Sequence, residues 1–148
     1  MASLKNWDNN TWLSSKDYIK SFSKFLIQNT KLNFKSEILD IGCGRGKISG
    51  NLYSELKLTS KPIGIDIVNH KDKDKRVKFK KSNGLTFLNK NKNFFDLILI
   101  KQTIHLLKMN EITKLINLCK KSLKSKGLIV VLTLDPYKNE IPTFKLMN

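Results

Sequence analysis

Arginine is nearly missing from this chain. Arg45 and Arg76 are the only two, although the formal net charge is +16 at pH 7. Planar, bidentate recognition of phosphates and base edges favours arginine over lysine, so this scarcity weighs against a dedicated nucleic-acid face and for a solvated lysine surface spread over the helices. Clustering of the lysines on one face is the feature that separates the two. Cysteine is also scarce. Cys43 and Cys119 form neither a metal-ligand cluster nor a disulfide framework, so both are expected as free thiols and no metal is expected. No run of about 18 apolar residues is present to cross a bilayer, and the first residues lack the apolar stretch of a secretory signal. The expectation is a cytoplasmic chain away from membranes. Its 148 residues leave room for one domain, and neither an internal repeat nor a low-complexity linker divides it.

What is present is an alternation of helical and strand-like segments. Trp7 and Trp12 lie in a polar lead segment. Ser14 with Asp17 has the spacing of a capping box that opens a helix, and Tyr18, Ile19, Phe22, Phe25 and Leu26 share one helical face until about Asn29. Residues 37–41 form a short apolar strand that runs into Gly42, Gly44 and Gly46, after which Ile48, Leu52 and Leu56 recur at helical spacing. Further strands are predicted over residues 62–68, 77–80, 94–100 and 128–134. Between the last two, Ile112, Leu115, Ile116, Cys119 and Leu123 line a helix that Asn110 can cap and Gly127 can close.

The link from the second strand to the third is short, so its crossover helix must be reduced to a turn or a loop. The pattern as a whole predicts an α/β doubly wound parallel sheet. Ligands of such sheets bind beyond the carboxyl ends of the strands, where residues 42–46, Asp66, Asn83, Lys101 and Asp135 fall.

Spacing separates three readings of the glycine turn. A dinucleotide fingerprint needs a third glycine where Lys47 stands, and a phosphate loop needs Gly and Ser or Thr where Ile41 and Ile48 stand. What remains is Leu39-Asp40-Ile41-Gly42-Cys43-Gly44-Arg45-Gly46, which resembles motif I of class I S-adenosylmethionine-dependent methyltransferases. Gly64-Ile65-Asp66-Ile67 and the segment from Phe95 to Leu107, with His105, are similar to later motifs of the family, and the resemblance covers residues 37 to about 134.

The resemblance implies a Rossmann-like sheet of parallel order 3-2-1-4-5 and S-adenosyl-L-methionine as cofactor. The turn Gly42, Cys43, Gly44 and Gly46 would lie under its methionine part, with unhindered N–H donors for the carboxylate. Asp40 would accept from the ammonium and Asp66 from the ribose hydroxyls, while Ile67 would pack on adenine and Asn83 with Gly84 would meet its amine. Lys101, at the end of the fourth strand, would contribute its backbone carbonyl beside the methyl, or its charge to an anionic acceptor. His105 is the candidate general base, although a histidine in so apolar a stretch is also at home as a packed side chain. Trp7, Trp12 and Tyr18 would serve either as a lid or as the apolar anchor of the first helix.

No Asp/Asn-Pro-Pro-aromatic motif, nucleophilic cysteine or extra carboxylate follows the fourth strand, which disfavours base amino-, cytosine-carbon and metal-dependent catechol-type enzymes. Lys101 replaces the acidic residue of the ribose-methylating type. A small-molecule acceptor is the leading expectation, with RNA second and cofactor binding without turnover third. The single domain divides into a lead segment (1–36), a cofactor-binding core (37–134) and a short tail (135–148). That tail has too few residues for the family's final helix and antiparallel hairpin, so the expectation is a fragment of a longer enzyme or, second, a minimal version whose open sheet edge is covered by the first helix or by another subunit, such as a second copy of the chain.

Overall fold

Strands that are apolar on both faces need a helical layer above and below, and the burial of the central strand shows that both layers are present. A computed structural model describes residues 16–101, 103–132 and 145–147, with His105 and residues 145–147 described by their backbone alone. Ser14, Trp7, Trp12 and Asp135 lie outside the described residues. In chain order the elements are α1 (Lys16–Asn29), β1 (Ile38–Ile41), α2 (Lys47–Glu55), β2 (Ile63–Asp66), β3 (Lys78–Lys81), α3 (Gly84–Leu88), β4 (Phe95–Lys101), α4 (Met109–Ser122), β5 (Leu123–Leu132) and β6 (Lys145–Met147). The sheet runs β3-β2-β1-β4-β5-β6. Its first five strands are parallel, and β6 alone is antiparallel. This is the predicted Rossmann-like order.

All four residues of β1 are buried, and alternation sends them to opposite layers. Ile38 joins Tyr18, Phe22, Leu26, Ile48, Leu52, Leu97 and Leu99 on the side of α1 and α2. Leu39 and Ile41 join Ile65, Leu88, Ile98, Ile100, Leu115 and Cys119 on the side of α3 and α4. The same alternation puts Asp40, between Leu39 and Ile41, on the α1 and α2 side. Tyr18 stacks on Phe22 with ring centroids 5.9 Å apart and belongs to the core, which makes it an anchor of α1.

The second crossover has no helix, as the short link requires. Residues 67–77 instead fold back on α2. Asp74 accepts bonds from Arg76 Nε at 2.9 Å and Nη2 at 2.8 Å, while Nη1 of the same arginine reaches Ser54 Oγ on α2 at 2.8 Å. The Asp74 N–H donates to the Arg45 carbonyl at 2.8 Å, and Val77 fills the space beside Gly46 and Gly64, where a Cβ would come within 3.1 and 2.9 Å of it. Burial pushes the Asp74 carboxyl up, but the hydrogen bonds and charge of Arg76, with Lys47 beyond, outweigh it and hold the group below the usual carboxylate range.

Four expectations change at element ends. Lys108, not Asn110, caps α4. The Glu111 carboxylate accepts the Lys108 N–H at 2.8 Å, and Asn110 lies inside the helix, bonded to the Glu111 N–H. Gly127 does not close that helix, because β5 begins at once with Leu123. While β4 advances from Phe95 to Leu97, β5 advances from Leu123 to Leu128, so residues 124–127 bulge out. A Cβ on Gly127 would stand 2.9 Å from the Phe95 carbonyl, so this glycine serves strand contact. A short helix, α3, was not foreseen, although Asn83 caps it by accepting the Thr86 N–H at 2.8 Å. Finally, β6 pairs with β5 at Ile129, Val130 and Val131. The edge expected to be open is covered at these residues by a strand of this chain's own tail.

The packing of the loop on α2 sets up a test. Alanine favours a helix interior over glycine by about 1 kcal/mol, yet a Cβ on Gly50 would lie 2.6 Å from the Asp74 carboxylate, which Arg76 pins in place. Gly50→Ala is expected to lower stability by about 1–3 kcal/mol in urea titrations followed by circular dichroism; an increase would show that the loop yields.

Candidate functional site

At the carboxyl end of β1 the chain must turn sharply into α2 without colliding with its neighbours on either side. Gly42, Gly44 and Gly46 all have positive φ, at 70, 56 and 74°, a region that side-chain-bearing residues rarely adopt. Steric limits add to this at Gly42, where a Cβ would come within 2.7 Å of the Lys101 carbonyl and 2.1 Å of the Thr103 hydroxyl. That hydroxyl donates to the Lys101 carbonyl at 2.8 Å, so the exit of β4 lies directly against the turn.

Four N–H groups of the turn already have partners within the protein. Gly42 and Cys43 both donate to the Ile65 carbonyl, at 2.9 and 3.1 Å, and Gly46 donates to the Cys43 carbonyl at 2.9 Å. Gly44 donates to Asp66 Oδ2 at 2.9 Å. At its three glycines the turn presents backbone without a side chain. Helix α2 starts immediately beyond, with Gly46 as an N-cap that makes no side-chain bond. The Cys43 side chain points into the core, where burial pushes its thiol up, so this residue presents backbone to the site.

Two carboxylates stand at the ends of adjacent strands in unlike surroundings. Asp40 is fully buried. Ser49 Oγ, on α2, donates to its Oδ2, and the Lys101 ammonium lies 3.6 Å from the same oxygen. Asp40 Oδ1 has no hydrogen-bond partner among the described residues. Burial pushes this carboxyl up; Lys101 and Ser49 pull it down without overcoming that push, and Asp66 adds to the rise.

Asp66 is partly exposed. Its Oδ2 accepts Gly44 N–H, its Oδ1 accepts Val68 N–H at 2.9 Å, and His70 Nε2 lies 3.6 Å from Oδ2. Each oxygen of Asp66 therefore keeps acceptor capacity for a hydroxyl.

Around these, Ile67 is 58% exposed and offers an apolar surface just past Asp66. Ser82 N–H bonds the Asp66 carbonyl at 3.0 Å, which ties the exit of β3 to β2. Asn83 is exposed there, with its amide oxygen already accepting Thr86 N–H. Gly84 faces the core, since a Cβ on it would meet Leu115 and Ile41. Lys101 turns inward, only 13% exposed, with Nζ also 3.4 Å from the Cys43 carbonyl. His105 lies in the single 3₁₀ turn Ile104–Leu106 after β4.

Sequence reasoning missed Ser49, His70 and Thr103. Of these Ser49 carried a signal, as a polar residue on the otherwise apolar face marked by Ile48 and Leu52. Among the described residues no group of three or more His, Cys, Asp or Glu can hold a metal ion.

The buried carboxylate generates a prediction with a definite sign. An acid raised in the folded state contributes its stability below the unfolded value of about 3.9 and loses it as pH rises through the raised value. Asp40→Asn removes that loss. The difference in melting temperature, variant minus wild type, is expected to grow in favour of the variant between pH 4 and pH 8; a difference that stays constant would show that Asp40 titrates normally.

The model of the methyltransferase domain family matches residues 32–146. No curated protein sequence matches the chain. Among solved structures, a SAM-dependent methyltransferase from Archaeoglobus fulgidus is 25% identical with a TM-score of 0.67, over 82% of this chain and 54% of that one. The 1,6-didemethyltoxoflavin-N1-methyltransferase of Burkholderia thailandensis, with S-adenosylhomocysteine bound, is 16% identical at TM-score 0.65, over 87% of this chain and 58% of that one. Phosphoethanolamine N-methyltransferase 1 of Haemonchus contortus, also with S-adenosylhomocysteine, is 14% identical at TM-score 0.68, over 88% of this chain and 29% of that one. The chain thus spans about half or less of the length of relatives such as those from Archaeoglobus and Haemonchus.

Proposed function

We propose that this chain, which belongs to the methyltransferase domain family, binds S-adenosylmethionine and transfers its methyl group to a small-molecule acceptor. The observation that carries the reading is the arrangement of acceptors around a glycine-rich turn. A buried carboxylate with an orphan oxygen, Asp40, stands on one strand, and a half-satisfied carboxylate, Asp66, stands on the next.

The donor set fits the cofactor. Asp40 and the Cys43 carbonyl are acceptors suited to a cationic amine, Asp66 to vicinal hydroxyls, and exposed Ile67 to the face of a base. When bound, the cofactor supplies a methyl group on a positively charged sulfur, which an acceptor lone pair can displace in line. The chain's own part is positioning, which for such a displacement supplies much of the acceleration. Gly42, pressed against the Lys101 carbonyl, fixes where the β1 turn stands relative to the end of β4. We assign His105, on the turn after β4, as the candidate to take a proton from the acceptor where one must leave.

Three observations support a small acceptor over RNA. Exposed lysines occur on α1 (Lys16, Lys20, Lys24), on the edge strand β3 (Lys78, Lys80, Lys81) and on α4 (Lys114, Lys120, Lys121), hence on both faces of the sheet and at its edge. One of the two arginines, Arg76, is spent on Asp74 and Ser54. Beyond β4, Leu106 and Met109 are 51% and 76% exposed, an apolar border suited to an organic acceptor.

Calorimetry with S-adenosylmethionine and S-adenosylhomocysteine tests the shared premise. Wild type is expected to bind both below millimolar concentration, and Asp66→Ala to weaken binding at least about tenfold through the lost charged hydrogen bonds. No binding by wild type would sink the reading. For the acceptor, methyl incorporation from labelled cofactor is expected into a small-metabolite pool; incorporation into total RNA alone would reverse the choice.

A further inference from the structure

The place that best suits a ligand's ammonium is already taken by an ammonium of the protein. Lys101 Nζ lies 3.6 Å from Asp40 Oδ2 and 3.4 Å from the Cys43 carbonyl, on a side chain only 13% exposed. Asp40, wholly buried beneath it, carries at most one negative charge. A second cation brought to the same carboxylate would leave an unbalanced positive charge in a buried place, which is strongly disfavoured.

Two features let Lys101 give way. Its four-carbon stem is flexible, and it is the last residue of β4, at the carboxyl end of the sheet where the strand gives out. Its backbone is held independently of the amine, through the Thr103 hydroxyl on its carbonyl, so the amine can leave without disturbing the turn.

We propose that Lys101 is a specificity-determining residue: its ammonium competes with the α-ammonium of an amino-acid-bearing nucleoside for the place between Asp40 and the Cys43 carbonyl, and must swing out when such a ligand binds. This rests on the cofactor reading above and adds to it a selectivity that the glycine turn does not show. A nucleoside thioether without the amino-acid part escapes the competition. A ligand with the ammonium is weakened by the fraction of time the place is free, so a lysine seated nine-tenths of the time costs about tenfold in affinity.

The test compares S-adenosylhomocysteine with 5′-methylthioadenosine, which share the adenosine thioether and differ in the amino acid. Affinities are measured by calorimetry at pH 8 on wild type and Lys101→Met, which keeps the length of the stem. The variant is expected to bind S-adenosylhomocysteine about tenfold more tightly and 5′-methylthioadenosine unchanged. Weaker binding of S-adenosylhomocysteine, or an equal gain for both ligands, would overturn the proposal, the first because Lys101 would then be holding the ligand and the second because it would merely be filling space.

A second measurement needs no variant. In wild type, reductive methylation of Lys101, read by mass spectrometry, is expected to rise with S-adenosylhomocysteine and not with 5′-methylthioadenosine. The same labelling with both ligands would equally overturn the proposal. Absence of binding by either ligand to either protein refutes the cofactor reading itself, so the two failures are distinguishable.

Discussion

The close approach of the β1 turn to the ends of its two neighbouring strands is the constraint on which the rest of the site depends. Gly42 lies against the Lys101 carbonyl on β4, and its N–H and that of Cys43 converge on the Ile65 carbonyl of β2. Three left-handed residues in alternation let the chain pass through this gap and start α2 at once. Because the turn is tied to both sides, the carboxylates at the ends of β1 and β2 and the lysine at the end of β4 are held in one place. On the β2 side these tethers are backbone bonds between the turn and the strand, which makes the geometry stiff there, whereas on the β4 side the Lys101 amine bonds the Cys43 carbonyl.

Charge in this site is governed by burial more than by proximity. Asp40 has a cation 3.6 Å away and a hydroxyl bonded to it, and still burial prevails in pushing its carboxyl up. Asp74 is the counterpart: less deeply enclosed, it is held down because a guanidinium meets it with two bonds and fixed geometry. The contrast is one of depth and geometry together. A forked donor in hydrogen-bond contact offsets desolvation, whereas a single ammonium at the distance of an ion pair does not. The same contrast separates the arginine of the structural loop from the lysine beside Asp40.

Asp74 and Arg76 also explain how the sheet does without its second crossover helix. A bare loop between parallel strands would leave α2 uncovered on one flank. Here the loop is fastened to that helix through Ser54 and the Arg45 carbonyl, and Val77 fills the space that Gly46 and Gly64 leave open. On the far side of the sheet, three residues of the tail pair with β5 and cover its edge there.

The sequence by itself determined the alternation of elements, the parallel sheet and the location of the glycine turn, because hydrophobic period and the steric demands of glycine are local and leave their mark within a few residues. It also placed Asp66 at a strand end. Element ends were less legible: Asn110 and Gly127 look like caps, but a Glu111 carboxylate and a bulge against Phe95 decided otherwise. Only the tertiary structure showed that the N–H groups of Gly42, Cys43 and Gly44 bond to Ile65 and Asp66, that Ser49, His70 and Thr103 stand beside these residues, and that the Lys101 amine points at Asp40. Those facts depend on strands and helices up to about sixty positions apart in the chain being brought within hydrogen-bond or ion-pair reach, and no local pattern records which way a long side chain turns once its neighbours are in place.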